Sequence, residues 1–141
     1  VSIFDYGRAA DGTFYYAMEL LEGEDLQELV ERDGPLSEKR AIAILDQICD
    51  VLEEAHGLDL IHRDIKPANI VVGRRGSLRD FVTVVDFGLA KDLSAGDAGL
   101  TQENSVVGTP LYLAPEAIED PTRVGPHSDL YALGCVGVWL T

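Results

Sequence analysis

The stretch His62-Arg63-Asp64-Ile65-Lys66-Pro67-Ala68-Asn69 constrains this chain more than any other. It lies between a helical apolar pattern and a β-branched run, which makes it a loop carrying a helix into a strand. Asp64, Lys66 and Asn69 place a hydroxyl acceptor, a cation and an oxygen ligand for a metal on one short segment, a set suited to phosphate chemistry. Pro67 helps to fix their separation, because its ring locks φ and stiffens the loop.

The flanking patterns give the loop its setting. Upstream, Ala41, Ile44, Leu45, Ile48, Val51, Leu52 and Ala55 recur at helical spacing, with Ser37 as candidate N-cap and Gly57 as the residue just past the C-terminus. Downstream, Ile70-Val71-Val72 and Phe81-Val82-Thr83-Val84-Val85 read as strands around the turn Gly73-Arg74-Arg75-Gly76-Ser77, whose arginines are expected to be solvated. Nearer the N-terminus, Val1 to Tyr6 and Thr13 to Met18 predict a hairpin around a turn from Gly7 to Gly12. Glu19 to Gly23 breaks the strand pattern. Asp25, three residues before Glu28, predicts the cap of a short helix that Gly34-Pro35 ends. From Lys91 to Ser105 small polar residues without period predict a long mobile loop. Leu130 to Leu140 is uncharged and mostly apolar, too short to span a bilayer, and fits a buried helix.

Composition narrows the classes. The chain has 141 residues, 46% of them apolar, enough for the core of one ordinary domain. A net charge of −14 argues against a nucleic-acid or anionic-membrane partner, since counterion release needs clustered Lys and Arg. Cys49 and Cys135 lie far apart in apolar surroundings without metal-site spacing, and are expected to be buried thiols in a reducing, cytoplasmic setting.

Asp86-Phe87-Gly88 follows the second of the two central strands, so the Asp86 carboxylate projects from a rigid strand end while Gly88 lets the backbone turn. Asp86 with Asn69 could supply the one or two hard oxygens that Mg²⁺ takes from a protein when phosphates supply the rest. Together, His62 to Asn69, Asp86-Phe87-Gly88 and Gly108-Thr109-Pro110-Leu111-Tyr112-Leu113-Ala114-Pro115-Glu116 resemble the H-R-D-x-K-x-x-N, D-F-G and G-T-x-x-Y-x-A-P-E motifs of eukaryotic-like Ser/Thr protein kinases. Asp129-Leu130-Tyr131-Ala132-Leu133-Gly134 resembles the D-x-W-S-x-G start of the central C-lobe helix and departs from it at Tyr131 and Ala132.

The resemblance implies a partial kinase-like α+β fold: N-lobe strands over residues 1–18, a hinge over 19–25, and part of a mainly helical C-lobe over 26–141. It implies ATP-dependent phosphorylation of Ser or Thr hydroxyls on a protein substrate, with Mg²⁺ as cofactor. Asp64 would accept or orient the substrate proton, Lys66 would steady the transferring phosphoryl, and Asn69 and Asp86 would hold Mg²⁺ on ATP. Lys66 favours Ser/Thr over Tyr acceptors, because tyrosine kinases usually place Ala and Arg nearby. Thr109 would bond Asp64 and Lys66 and seat the acceptor, or simply cap a turn.

By the same likeness, the Glu19 carbonyl and the Leu21 N–H would meet adenine, with Met18 as gatekeeper. Asp25 would serve the ribose hydroxyls or its own helix cap. Val71 and Leu26 would sandwich or support the adenine, or pack as ordinary core. His62 and Phe87 would stack between the lobes. Arg63 would pair with a phosphate on the activation loop, with Ser105 the first candidate acceptor and Thr101 the second.

The likeness runs over nearly the whole chain but covers only about half of the usual kinase parts. The Gly-rich loop, the V-A-I-K lysine, its glutamate partner and the later C-terminal helices are not in the sequence, so a fragment of a longer product, inactive by itself, is expected, with the cytoplasmic part of a membrane-anchored protein as one form of it. Two rivals stay open: a small-molecule phosphotransferase of the same superfamily, against which Lys66 and the A-P-E segment speak, and a non-catalytic pseudokinase scaffold.

Overall fold

A computed structural model describes residues 1–87 and 110–141. The expectations for Thr101, Ser105, Thr109 and the loop from Lys91 to Ser105 lie outside the described residues.

The chain opens with an antiparallel hairpin, β1 (Ile3–Arg8) and β2 (Phe14–Met18). The expected turn was too long. Gly7 and Arg8 pair with Tyr15 and Phe14, and the Arg8 guanidinium lies 3.9 Å from the Phe14 ring centre. Ladder pairing and a cation–π contact therefore override a turn-like composition.

A strand that the sequence did not announce follows, β3 (Gly23–Asp25), which joins β4 (Ile70–Arg75) and β5 (Leu78–Val84) in a three-stranded antiparallel sheet of order β3-β4-β5. Its register sets Gly23 against Gly73. A Cβ at Gly73 would stand 2.0 Å from the Glu22 carbonyl oxygen, so the approach of these backbones requires glycine. The β4–β5 turn is also tighter than expected: Arg75 pairs with Leu78, so the turn is Gly76-Ser77 alone, with Gly76 at φ +61°. Arg75 then lies over Phe81 at 5.0 Å.

Helix α1 (Leu26–Asp33) starts at Asp25, whose Oδ1 accepts from the Glu28 N–H at 2.8 Å. Helix α2 (Glu38–Gly57) buries Ala41, Ile44, Ile48, Leu52 and Ala55 of the expected stripe, while Leu45 and Val51 are partly buried at its edges. Ser37 is the N-cap as expected, in the extended conformation though without a side-chain cap bond, whereas the expectation at the other end fails, because Gly57 belongs to the helix. The left-handed residue is Asp59, at φ +61°, after which Leu60 N–H reaches the Ala55 carbonyl at 2.9 Å. An Asp tolerates that region better than most residues.

Helix α2 packs on β5 and on the last helix, and its polar face is tied to β5. Gln47 donates to the Asp80 carbonyl at 2.9 Å and accepts from the Val82 N–H at 3.1 Å. Arg40 forks onto Asp80 at 2.8 and 3.0 Å. A short helix α3 (Pro115–Glu119) and the last helix α4 (Pro126–Leu140) complete the body.

Helix α4 is buried along one side only: Ala132, Leu133, Val136 and Leu140 join the core, whereas Val138 is 81% exposed. The core centres on Leu26, Ile44, Ile48, Ile65, Ile70 and Val136. Cys49 is exposed and Cys135 half-buried, contrary to the expectation of buried thiols, because both fall off the core-facing stripes of their helices. Among the described residues no helix is long and apolar enough to cross a membrane.

Candidate active site

The loop from His62 to Asn69 is held by one buried carboxylate. Asp129, in the first turn of α4 and 1% exposed, accepts from the His62 N–H at 2.9 Å, from the Arg63 N–H at 2.8 Å and from His56 Nε2 at 2.8 Å. Such a group is stable in the interior only when hydrogen bonds replace its lost hydration, and three donors do so here. Arg63 sits at φ +70° under this clamp, with its side chain exposed.

His62 is fully buried and bridges two segments. Its Nδ1 accepts from the Asp64 N–H at 3.2 Å, and its Nε2 faces the Val85 carbonyl at 2.9 Å. That pattern needs a neutral ring with the proton on Nε2. Burial pushes the His62 pKa below its ordinary value, outweighing the Val85 hydrogen bond and the charges of Asp129, Asp64 and Asp86. The Phe87 ring lies 4.5 Å from His62, centre to centre, tilted by 56° rather than stacked flat.

Three of the expected catalytic residues meet. Asp64 Oδ2 accepts from Lys66 Nζ at 2.6 Å and from Asn69 Nδ2 at 2.9 Å. Asn69 Nδ2 also reaches the Asp64 carbonyl at 2.8 Å, so both amide hydrogens point inward and the amide oxygen Oδ1 is the atom that Asn69 has left to offer a cation. The short 3₁₀ turn Pro67–Asn69 delivers it, with Pro at its first position.

Asp86 arrives from β5. The Val85 N–H donates to the Asn69 carbonyl at 2.9 Å, which brings the strand end beside the loop. Asp86 itself is exposed, at φ +64°, and its Oδ1 accepts from the Tyr16 hydroxyl of β2 at 2.8 Å. That bond raises the Tyr16 pKa above its ordinary value. One carboxylate and one amide oxygen form a donor set of the kind Mg²⁺ accepts alongside phosphate oxygens.

The expected nucleotide residues divide. Glu19, Leu21 and Val71 line one open cavity of about 690 Å³, with Thr83 and Phe87. Met18, Asp25 and Asp86 lie outside that lining, and Leu26 is wholly buried in the core. The Glu19 N–H is spent on the Ser2 carbonyl at 3.0 Å. Among the described residues, the Glu19 carbonyl and the Leu21 N–H have no backbone partner. Asp25 realises its cap, which occupies one of its two oxygens.

Sequence reasoning did not assign a role to Tyr16 or His56, nor the loop-holding role to Asp129. Tyr16 shares a strand face with Met18, two residues on, and that spacing was the one signal for it. Glu116, the end of the A-P-E segment, accepts from Ser128 Oγ at 2.6 Å and faces His127 Nε2 at 3.2 Å. The Ser128 bond holds its carboxyl below the ordinary range.

A carboxylate bonded by a lysine and an asparagine on one loop, tied through Val85 to the strand end that carries a second carboxylate, is an arrangement suited to phosphate chemistry. The chain belongs to the protein kinase domain family, whose model matches residues 2–141, and is part of a eukaryotic-like Ser/Thr catalytic domain. It is 43% identical over 138 residues to the serine/threonine-protein kinase pkn3 of Myxococcus xanthus, covering 96% of this chain and 25% of that protein. It is also 43% identical over 136 residues to the serine/threonine-protein kinase PknH of Mycobacterium tuberculosis, covering 96% of this chain and 20% of that protein. Among solved structures, the Mycobacterium tuberculosis PknI kinase domain matches with a TM-score of 0.71 and 26% identity, over 98% of this chain and 48% of that one. Rad53 in complex with AMP-PNP matches with a TM-score of 0.73 and 25% identity, over 98% of this chain and 32% of that one. The fold is therefore a partial protein-kinase fold, and the chain spans a quarter or less of these two curated relatives.

Proposed function

We propose that this segment supplies the catalytic loop and metal-binding carboxylate of a kinase that transfers the γ-phosphoryl of ATP to Ser or Thr hydroxyls on a protein substrate. The observation that carries this reading is the Val85-to-Asn69 hydrogen bond of 2.9 Å, which sets Asp86 beside the Asp64–Asn69 pair. Phosphoryl transfer asks chiefly for alignment and for positive charge where oxygens gather negative charge.

Each residue then has a task. Asp64 accepts and orients the acceptor hydroxyl, Lys66 sets a positive charge beside it, and Asn69 holds the Asp64 carboxylate in place. Asn69 Oδ1 and Asp86 would hold Mg²⁺, which supplies charge neutralisation on the phosphate oxygens. The Glu19 carbonyl and Leu21 N–H serve as the adenine-facing backbone, with Val71 as one wall and Met18 at the back. Residues 1–18, 19–25 and 26–141 correspond in this reading to N-lobe strands, hinge and part of the C-lobe. Arg63, exposed beside Asp64, is the receiver for a phosphate on Ser105 or Thr101, and Thr109 seats the acceptor.

The test is phosphate transfer from ATP to a Ser/Thr peptide mixture by the full-length gene product. Asp64→Asn and Asp86→Asn should each cost about 10² in rate or more. Undiminished transfer by both variants would end the reading, and transfer to a small-molecule alcohol but to no peptide would replace the substrate class.

A further inference from the structure

We propose that Tyr16 is a positioning residue for Asp86: its hydroxyl fixes the carboxylate so that Oδ2 faces the metal site formed with Asn69. The inference rests on the kinase reading above and adds a residue to it.

The geometry is specific to one tyrosine. On β2, side chains alternate, so Tyr16 and Met18 share the face turned to the strand end of β5, while Tyr15 takes the other. The Tyr16 hydroxyl reaches Asp86 Oδ1 at 2.8 Å across seventy positions of sequence, whereas the Tyr15 hydroxyl approaches Asp5 within its own hairpin at 3.4 Å.

Asp86 needs such a partner. It is left-handed at φ +64° and exposed, so little packing holds its side chain in one rotamer. A carboxylate has about four acceptor positions, so one phenolic hydrogen bond on Oδ1 restricts rotation and leaves Oδ2 open to a cation. Hydrogen bonds of this kind to ligating carboxylates typically change metal affinity by about 10- to 100-fold. A phenol suits the position because it reaches from a strand, brings no charge to compete with the metal, and turns on few rotatable bonds.

The experiment measures AMP-PNP binding calorimetrically to the full-length gene product, without metal and over a Mg²⁺ series, for wild type, Tyr16→Phe, Tyr15→Phe, Asp86→Asn and the Tyr16→Phe/Asp86→Asn double variant. Wild type should show Mg²⁺-dependent tightening; its absence would sink the kinase reading and this proposal together. Tyr16→Phe should raise the Mg²⁺ midpoint about tenfold or more while metal-free AMP-PNP affinity stays within about twofold. In the Asp86→Asn background the same substitution should add nothing.

Four results would overturn the proposal alone. An unchanged midpoint would do so, and so would a lowered one, since the hydroxyl would then compete with the metal. A parallel loss of metal-free affinity would place Tyr16 in the nucleotide wall. An equal shift from Tyr15→Phe would assign the effect to the hairpin as a whole.

Discussion

At the scale of single residues, the site works by having each polar atom engaged on one side and open on the other. Asp64 gives Oδ2 to Lys66 and Asn69, which leaves Oδ1 for the acceptor hydroxyl of the proposed reaction; Asn69 gives its amide hydrogens to Asp64 and keeps its oxygen. The Lys66–Asp64 pair is solvent-accessible, with side chains 30% and 50% exposed, so its contribution to stability is at most about 1 kcal/mol. Lys66→Ala should therefore leave the melting temperature nearly unchanged while lowering phosphate transfer by about 10² or more. Paired thermal melts and transfer assays check this, and a large loss of stability with full activity would make Lys66 a structural residue. The identities of Asp64, Lys66 and Asn69 were legible from their order and spacing alone, because they share one short loop. Tyr16 was not, because nothing in a strand's own pattern says which distant carboxylate its hydroxyl will meet.

At the scale of elements, two carboxylates anchor helices in opposite ways. Asp25 caps α1 from outside, and Asp25→Ala should cost about 1 kcal/mol in denaturant unfolding. Asp129 belongs to α4 but serves the loop, and its removal leaves one buried and two part-buried donors without an acceptor. Asp129→Ala should cost about 3 kcal/mol or more, and hydrogen exchange should show the His62 and Arg63 amides losing protection before those of the α2 core. Equal protection in variant and wild type would mean that the loop is held by something else.

The helix stripes of α2 and the cap of α1 could be read in advance from period and residue type. Strand β3 could not. Its three residues carry no alternation, and it exists because Gly23 and Gly73 allow two backbones to approach where any side chain would collide. The same limit explains the error at Gly57. A C-terminal cap is settled by where the following chain must go, and the route to the loop at His62 places the left-handed turn at Asp59.

At the scale of the whole molecule, His62 ties the loop, β5 and the core together, and its titration should appear in global stability. Unfolded, it takes up a proton near its ordinary value of 6.5; folded, it does so only at lower pH. Between those values the unfolded chain binds the extra proton, so the stability present above pH 6.5 is lost as pH falls through the depressed folded value. Melts from about pH 7 to about pH 5 should show this loss, and His62→Gln should flatten it. An identical slope in the variant would assign the acid sensitivity to the carboxylates, whose ordinary titration lies lower.

The sequence by itself determined the order of the elements, the family likeness and the loop chemistry, because periodicity, caps and closely spaced motifs are local properties of a chain. Only the tertiary structure decided which face of α4 is buried, that Asp129 holds the loop, and that Tyr16 reaches Asp86. Those facts depend on residues far apart in sequence being brought within hydrogen-bonding distance, and a short-range force acts only once the packing of the whole body has set that distance.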